Sequence, residues 1–293
     1  MDKPENLKLN QIVFPKIGKI YYSSQKRELI FIYKEIFENR EYIQHGIELK
    51  PGNIVFDIGA HNGLFTLFVN KECDNDVTIF AFEPLKSNYQ ILEKNLSLYG
   101  LNKRNNIKLF NLGLTHTEGP KEATFSYSKR WTGTATMKSD FLQEKIMLAK
   151  RNPDLIMKLV KQKHPIMYIL SLPLSPIRSW IISKFADFHI SRMFQVQCKL
   201  TTLSNICREY SIPRIDLLKI DVEGAELDVL RGIEEEDWPR IKQIVMEIHY
   251  VENLRDEIKK LLHSKGFNRI EVVEAEWSKI SMSEYIFYMY ARR

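Results

Sequence analysis

Cysteine is scarce in this chain. Cys73, Cys198 and Cys207 are odd in number and form no C-x-x-C pair. Neither a disulfide framework nor a thiolate zinc site is expected, and a reducing cytoplasm is the default setting. No G-x-G-x-x-G run occurs, so the usual pyrophosphate cradle of a dinucleotide fold is missing. The first six residues are polar and hold no apolar core, so no secretory leader is expected. No repeat or low-complexity tract is present, which sets aside solenoids and arrays. The most apolar run, residues 166–177, is too short and too broken by proline to cross a membrane. Charge of one sign is not concentrated. Lys and Arg number 43 against 37 Asp and Glu, a net +6 over 293 residues, and no nucleic-acid partner is expected.

What remains is an ordinary globular composition, 44% hydrophobic and 27% charged, long enough for one large domain with insertions. Its most informative stretch runs from Val55 to Gly63. An apolar run ends in Asp57, then a turn holds Gly59, Ala60, His61, Asn62 and Gly63, and a helical apolar pattern follows (Leu64, Phe65, Leu67, Phe68). Strand, tight turn, helix is how an open α/β sheet builds a nucleotide crevice. The spacing is D-x-G-x-x-x-G, with the acid on the strand end. A carboxylate there would repel a pyrophosphate and would suit the cationic amino-acid end of S-adenosylmethionine (SAM).

A second apolar run, residues 77–82, ends in Glu83-Pro84, and Glu83 lies 20 residues beyond Gly63. An acid at that distance is placed to accept hydrogen bonds from ribose hydroxyls. Pro84 can open the next helix, residues 85–99, with Gly100 as its C-terminal cap. A third strand, residues 107–110, leads to Asn111, where an adenine edge would lie.

Residues 1–50 read as an N-terminal lead-in with a helix over 25–40, and residues 51–293 as the main domain. Within it, residues 139–194 form a basic and apolar insertion with four prolines. After it, residues 195–200 alternate like a strand that could pair with 122–127. Thr201 or Thr202 can cap a helix over 203–210. A fourth core strand, 215–220, ends in Asp221; a helix follows Glu223 and Gly224; a fifth strand, 241–248, ends near His249. Residues 267–273 and 285–290 read as a closing antiparallel pair. Strands alternating with helices make a three-layer α/β sandwich.

Four segments together resemble the FkbM family of class I SAM-dependent methyltransferases: residues 55–63, residues 80–84, the stretch Leu218-Lys219-Ile220-Asp221-Val222-Glu223-Gly224-Ala225-Glu226 with 230–232, and residues 246–249. The third is the most specific. The resemblance covers roughly residues 30–140 and 195–275. It implies a Rossmann-like sandwich with a seven-stranded, mostly parallel sheet, an antiparallel last strand and a helical insertion. It also implies methyl transfer to a hydroxyl of a glycan, lipid-linked sugar or natural product. Carried over by position, Asp57, Gly59, Ala60, Asn62 and Gly63 would hold the methionine end of SAM. Glu83, Pro84, Asn111 and Asp221 would complete the cofactor site. Ser204 stands where relatives often carry Asp, and the insertion is long for the family.

Reacting atoms in such a sheet sit at the carboxyl ends of the strands. Methyl transfer to oxygen needs a group that removes a proton, and His serves near neutral pH. His249 is the leading candidate, His61 the second, and Asp221 lies near the reacting centre. Trp131, Thr132, Glu223 and Glu247 are candidates for the acceptor wall. Lys219 and Glu247, on adjacent strands, read as a structural ion pair. Asp221, Glu247 and His249 could supply ligands to a divalent metal, but no established metal spacing is present. The insertion reads first as a lid over the crevice, and second as a basic element on the inner face of a membrane. Two competing functions are a non-catalytic scaffold that keeps the SAM fold and a nicotinamide-dependent oxidoreductase, which the missing glycine spacing disfavours.

Overall fold

The computed structural model describes residues 9–128, 131–138, 193–249, 253–275 and 286–293. The insertion, apart from its last two residues, lies outside the described residues, as does the Trp131 side chain.

Apolar runs closed by acids do become parallel strands. A seven-stranded sheet is built from β3 (Asn53–Ile58), β4 (Val77–Phe82), β5 (Ile107–Phe110), β10 (Leu217–Ile220), β11 (Gln243–His249), β12 (Arg269–Glu274) and β13 (Ile286–Arg292), in the order β12-β13-β11-β10-β3-β4-β5. β3, β4, β5, β10 and β11 run parallel. β13 runs antiparallel to both of its neighbours, as the closing pair requires.

Alternation along each strand sends residues to two cores. Val55, Ile79, Leu217 and Val245 face one layer, with the apolar side of α2 (Leu64–Glu72) and Leu92 and Leu96 of α3 (Lys86–Leu98). Phe56, Phe80, Leu218 and Met246 face the other. There they meet α4 (Leu203–Glu209), α5 (Glu226–Arg231) and α6 (Leu254–Ser264). Both faces are covered, so the central strands are apolar almost throughout.

A second, four-stranded sheet stands beside the strand ends, ordered β6-β9-β7-β8. Its strands are β6 (Gly113–Leu114), β7 (Glu122–Ser128), β8 (Trp131–Thr136) and β9 (Phe194–Thr201). β9 pairs antiparallel with β7 from Glu122↔Lys199 to Tyr127↔Phe194, the pairing that the alternation predicts. Thr202 caps α4 by accepting from the backbone N–H of Asn205 at 3.1 Å.

The lead-in departs from a single helix. It begins with a hairpin, β1 (Asn10–Phe14) against β2 (Gly18–Tyr22), and continues as α1 (Lys26–Tyr33) and a π-helical turn, Lys34–Glu38. Its buried residues Phe14, Ile20, Leu29, Tyr33 and Phe37 join the first core. Pro84 does not open α3. Leu85 is the N-cap and the helix starts at Lys86, because the Glu83 carboxylate takes the Leu85 N–H at 2.9 Å.

Gly59 sets the spacing of the strand ends. It has φ of 81°, and a Cβ placed on it would lie 1.8 Å from the backbone oxygen of Asp221. A side chain would meet fixed backbone in a disfavoured conformation. Gly59→Ala is therefore expected to destabilise the protein by about 3 kcal/mol or more in denaturant titration. A loss below about 1 kcal/mol would contradict this packing.

Candidate active site

The carboxyl ends of the parallel strands open into a cavity of about 530 Å³. Its floor is the loop after β3, with the ends of β4, β10 and β11. Its walls come from the lead-in and from β8.

The glycine loop contributes unevenly. Gly59, Ala60, His61 and Asn62 line the cavity. Asp57 and Gly63 do not. Asp57 is completely buried beneath the loop, where its Oδ2 accepts from Thr66 at 2.7 Å and its Oδ1 pairs with Lys219 at 3.3 Å. Direct contact of Asp57 with a cationic ligand is therefore not what the structure arranges, because its charge is already matched by an ammonium. Gly63, at φ of 86°, caps α2, and a Cβ there would press on Leu92 of α3. His61 has Nε2 at 2.8 Å from Thr132 Oγ1, and its Nδ1 is buried without a hydrogen-bond partner. Burial pushes the His61 pKa down, against the nearby carboxylates.

Glu83, at the end of β4, is buried and faces the cavity. One oxygen accepts from the His61 N–H at 2.9 Å and the other from Leu85. Burial raises its pKa to about 7 against those hydrogen bonds. Pro84 and Asn88 line the cavity beside it, and Asn88 Oδ1 is buried without a partner. Asn111 does not line it. Its side-chain amide donates to the carbonyls of Glu83 and Pro84 and braces the strand end, while Gly113 and Leu114 form the wall.

The other half, over β10 and β11, is crowded with carboxylates. Lys219 is 3% exposed and sits between Asp57 and Asp221 Oδ2 at 3.4 Å, donating to the Gly59 carbonyl at 2.8 Å. Burial works to lower its pKa, and the Asp221 and Asp57 charges overcome this, so it is raised. The expected Lys219–Glu247 pair is corrected by register, which places Lys219 beside Asp57 and Val245, two residues short of Glu247. Glu247 turns instead to Tyr42. The Tyr42 hydroxyl lies 3.1 Å from Asp221, 3.2 Å from Glu247 and 3.3 Å from Glu35, and Glu35 also receives the Tyr288 hydroxyl. One phenol can donate to only one of three carboxylates. The cluster therefore retains protons: burial raises Glu35 to about 7 and Glu247 well above its ordinary value.

His249 is 1% exposed and lines the cavity. Its Nδ1 lies 3.1 Å from Glu226, which is fully buried at the start of α5, and its Nε2 lies 3.1 Å from Glu223 and 3.6 Å from Glu247. Thr132 lines the opposite wall. Among the described residues no group of three or more His, Cys, Asp or Glu side chains converges on a metal position.

Among the lining residues that were not candidates on sequence grounds are Glu28, Glu35 and Tyr42. A signal existed for two. Glu28, Ile32, Glu35 and Ile36 fall at helical spacing, so two acids interrupt one apolar stripe.

The raised carboxyls carry a pH consequence. Glu35 and Glu83 hold protons up to about pH 7 when folded, but the unfolded chain releases them near 4.5. Between those values the folded state binds more protons, so stability falls as pH rises through the window. The melting temperature of ligand-free protein should follow that fall, and Glu35→Gln should make it shallower. An unchanged slope in the variant would show that Glu35 does not titrate in this way.

Comparison with known proteins gives the family. The Methyltransferase FkbM domain model matches residues 57–269. The chain is 32% identical over 244 residues to 31-O-demethyl-FK506 methyltransferase FkbM of Streptomyces tacrolimicus, covering 82% of each chain. It is also 32% identical over 266 residues to Methyltransferase sdnD of Sordaria araneosa, covering 88% of this chain and 89% of that one. Among solved structures, Methyltransferase FkbM from Methylobacillus flagellatus KT aligns with a TM-score of 0.49 at 12% identity. That alignment covers 88% of this chain and 47% of the other, so the chain spans about half of that protein's length. The matched domain and the identity to these relatives make the chain a SAM-dependent methyltransferase of the FkbM family.

Proposed function

We propose that the chain methylates a hydroxyl group of a small-molecule acceptor, a natural product or a sugar-bearing compound, with His249 as general base. The observation that carries this reading is the setting of His249: a buried carboxylate holds one ring nitrogen while the other faces the cavity beside Glu223. A relative named for methylating 31-O-demethyl-FK506 supports an oxygen acceptor.

The residues fit SAM. About 530 Å³ suits a ligand of that size. The lining is rich in acceptors, including the unpartnered Asn88 Oδ1, as the hydroxyls and amines of SAM require. Gly59, Ala60 and Asn62 would cradle the methionine end and Glu83 the ribose. SAM supplies a methyl group activated by a positively charged sulfonium.

The protein's own part is to position an alcohol and remove its proton. Glu226 at Nδ1 fixes the orientation of the ring, the arrangement by which a carboxylate prepares a histidine base. Once the proton shared between Nε2 and Glu223 rests on that carboxyl, an acceptor hydroxyl brought to Nε2 can give up its own proton there. Asp221, beside Lys219, would face the reacting centre, and Glu247 and Thr132 would shape the acceptor wall.

Glu83→Ala should weaken S-adenosylhomocysteine binding at least about tenfold by calorimetry, the loss of two acceptor oxygens facing the ribose. His249→Gln should leave that affinity intact and lower transfer by about 10²–10⁴-fold. A SAM-consumption screen over hydroxylated natural products and sugars reads the second effect. Full turnover by His249→Gln would remove His249 from the base role.

A further inference from the structure

Glu28 belongs to the lead-in, ahead of residues 57–269, which the family model matches. It is 3% exposed and lines the cavity. Its Oε1 accepts from the Gly133 N–H at 2.8 Å, and its Oε2 is buried without a hydrogen-bond partner. A buried carboxylate oxygen left bare is costly, and such a group normally meets a charged donor. Its contact on β8, Gly133, stands between it and His61 of the glycine loop. A Cβ built on Gly133 would lie 3.1 Å from Glu28 Oε1 and 3.9 Å from His61 Cε1, so the carboxylate and that loop residue close on the same backbone position. The absence of a side chain at Gly133 allows this approach.

Asp57 does not line the cavity, and its charge faces the Lys219 ammonium, although its Oδ1 makes no hydrogen bond. Asp221 and Glu247 share Tyr42, and Glu83 is held by two backbone N–H groups. Glu28 brings an unspent oxygen to the loop where the amino-acid end of the cofactor would rest. Arg27, beside it in the chain, lines the same cavity and carries the charge that suits a carboxylate. We propose that Glu28 binds the α-ammonium group of SAM, so that the lead-in helix completes the cofactor site. This rests on the SAM-binding reading above and extends it to an element outside the nucleotide-binding motifs.

The test compares two ligands by calorimetry. S-adenosylhomocysteine carries the amino-acid end; 5′-methylthioadenosine keeps the nucleoside and the thioether but lacks it. Glu28→Gln retains an oxygen for Gly133. The expected result is about tenfold or greater weakening for S-adenosylhomocysteine, with 5′-methylthioadenosine within about twofold of wild type. Equal affinity of wild type and variant for S-adenosylhomocysteine overturns the proposal. So does a parallel loss of both ligands, which marks a structural role. If wild type binds neither, the cofactor reading itself fails, and the assignment of Glu28 with it.

Discussion

The Lys219 ammonium holds the site together. It is buried under the cavity and touches Asp57 at the end of β3, Asp221 past the end of β10 and the carbonyl of Gly59. Two strands and the loop between sheet and cavity are thereby fixed to one charge. Taking an ammonium out of water is expensive and is tolerated only with close carboxylates and satisfied donors. Removing one partner would leave an uncompensated buried charge, so the three groups stand or fall together. Register makes the arrangement unavoidable, because Lys219 and Asp57 are paired neighbours on parallel strands.

From that point the cavity divides electrically. Over β4 the lining is a single acid, Glu83, held by backbone N–H groups. Over β10 and β11 lie Asp221, Glu223 and Glu247, with Glu35 and Tyr42 brought by the lead-in. The first half thus presents one acid, and the second a group of carboxyls, three of which share a single phenol. The lead-in is thus part of the site, although only its helix stands out in the sequence.

Much of this was legible in the residue order. Buried parallel strands read as apolar runs, and acids at their ends marked the crevice. The pairing of residues 195–200 with 122–127 followed from alternation, and β9 against β7 bears it out. What escaped depended on contacts distant in the chain. The partner of Asp57 arrives 162 residues later, so its carboxylate looked available for a ligand when it was already matched. Asn111 looked like an edge for adenine and proved to brace β4. The hairpin of β1 and β2 is short, and its alternation of Ile12, Phe14, Ile20 and Tyr22 is weak beside the helical pattern that follows. Glu28 and Glu35 were hidden because acids on a helix usually face water, and here the apolar stripe containing them faces a cavity.

The most direct measurement is a crystal structure of the protein with S-adenosylhomocysteine. The ligand should lie across residues 59–62, with its ribose hydroxyls on the Glu83 carboxylate and its thioether toward Asp221. A ligand bound elsewhere, or one whose ribose does not meet Glu83, would contradict the assignment of this cavity as the methyl-transfer site.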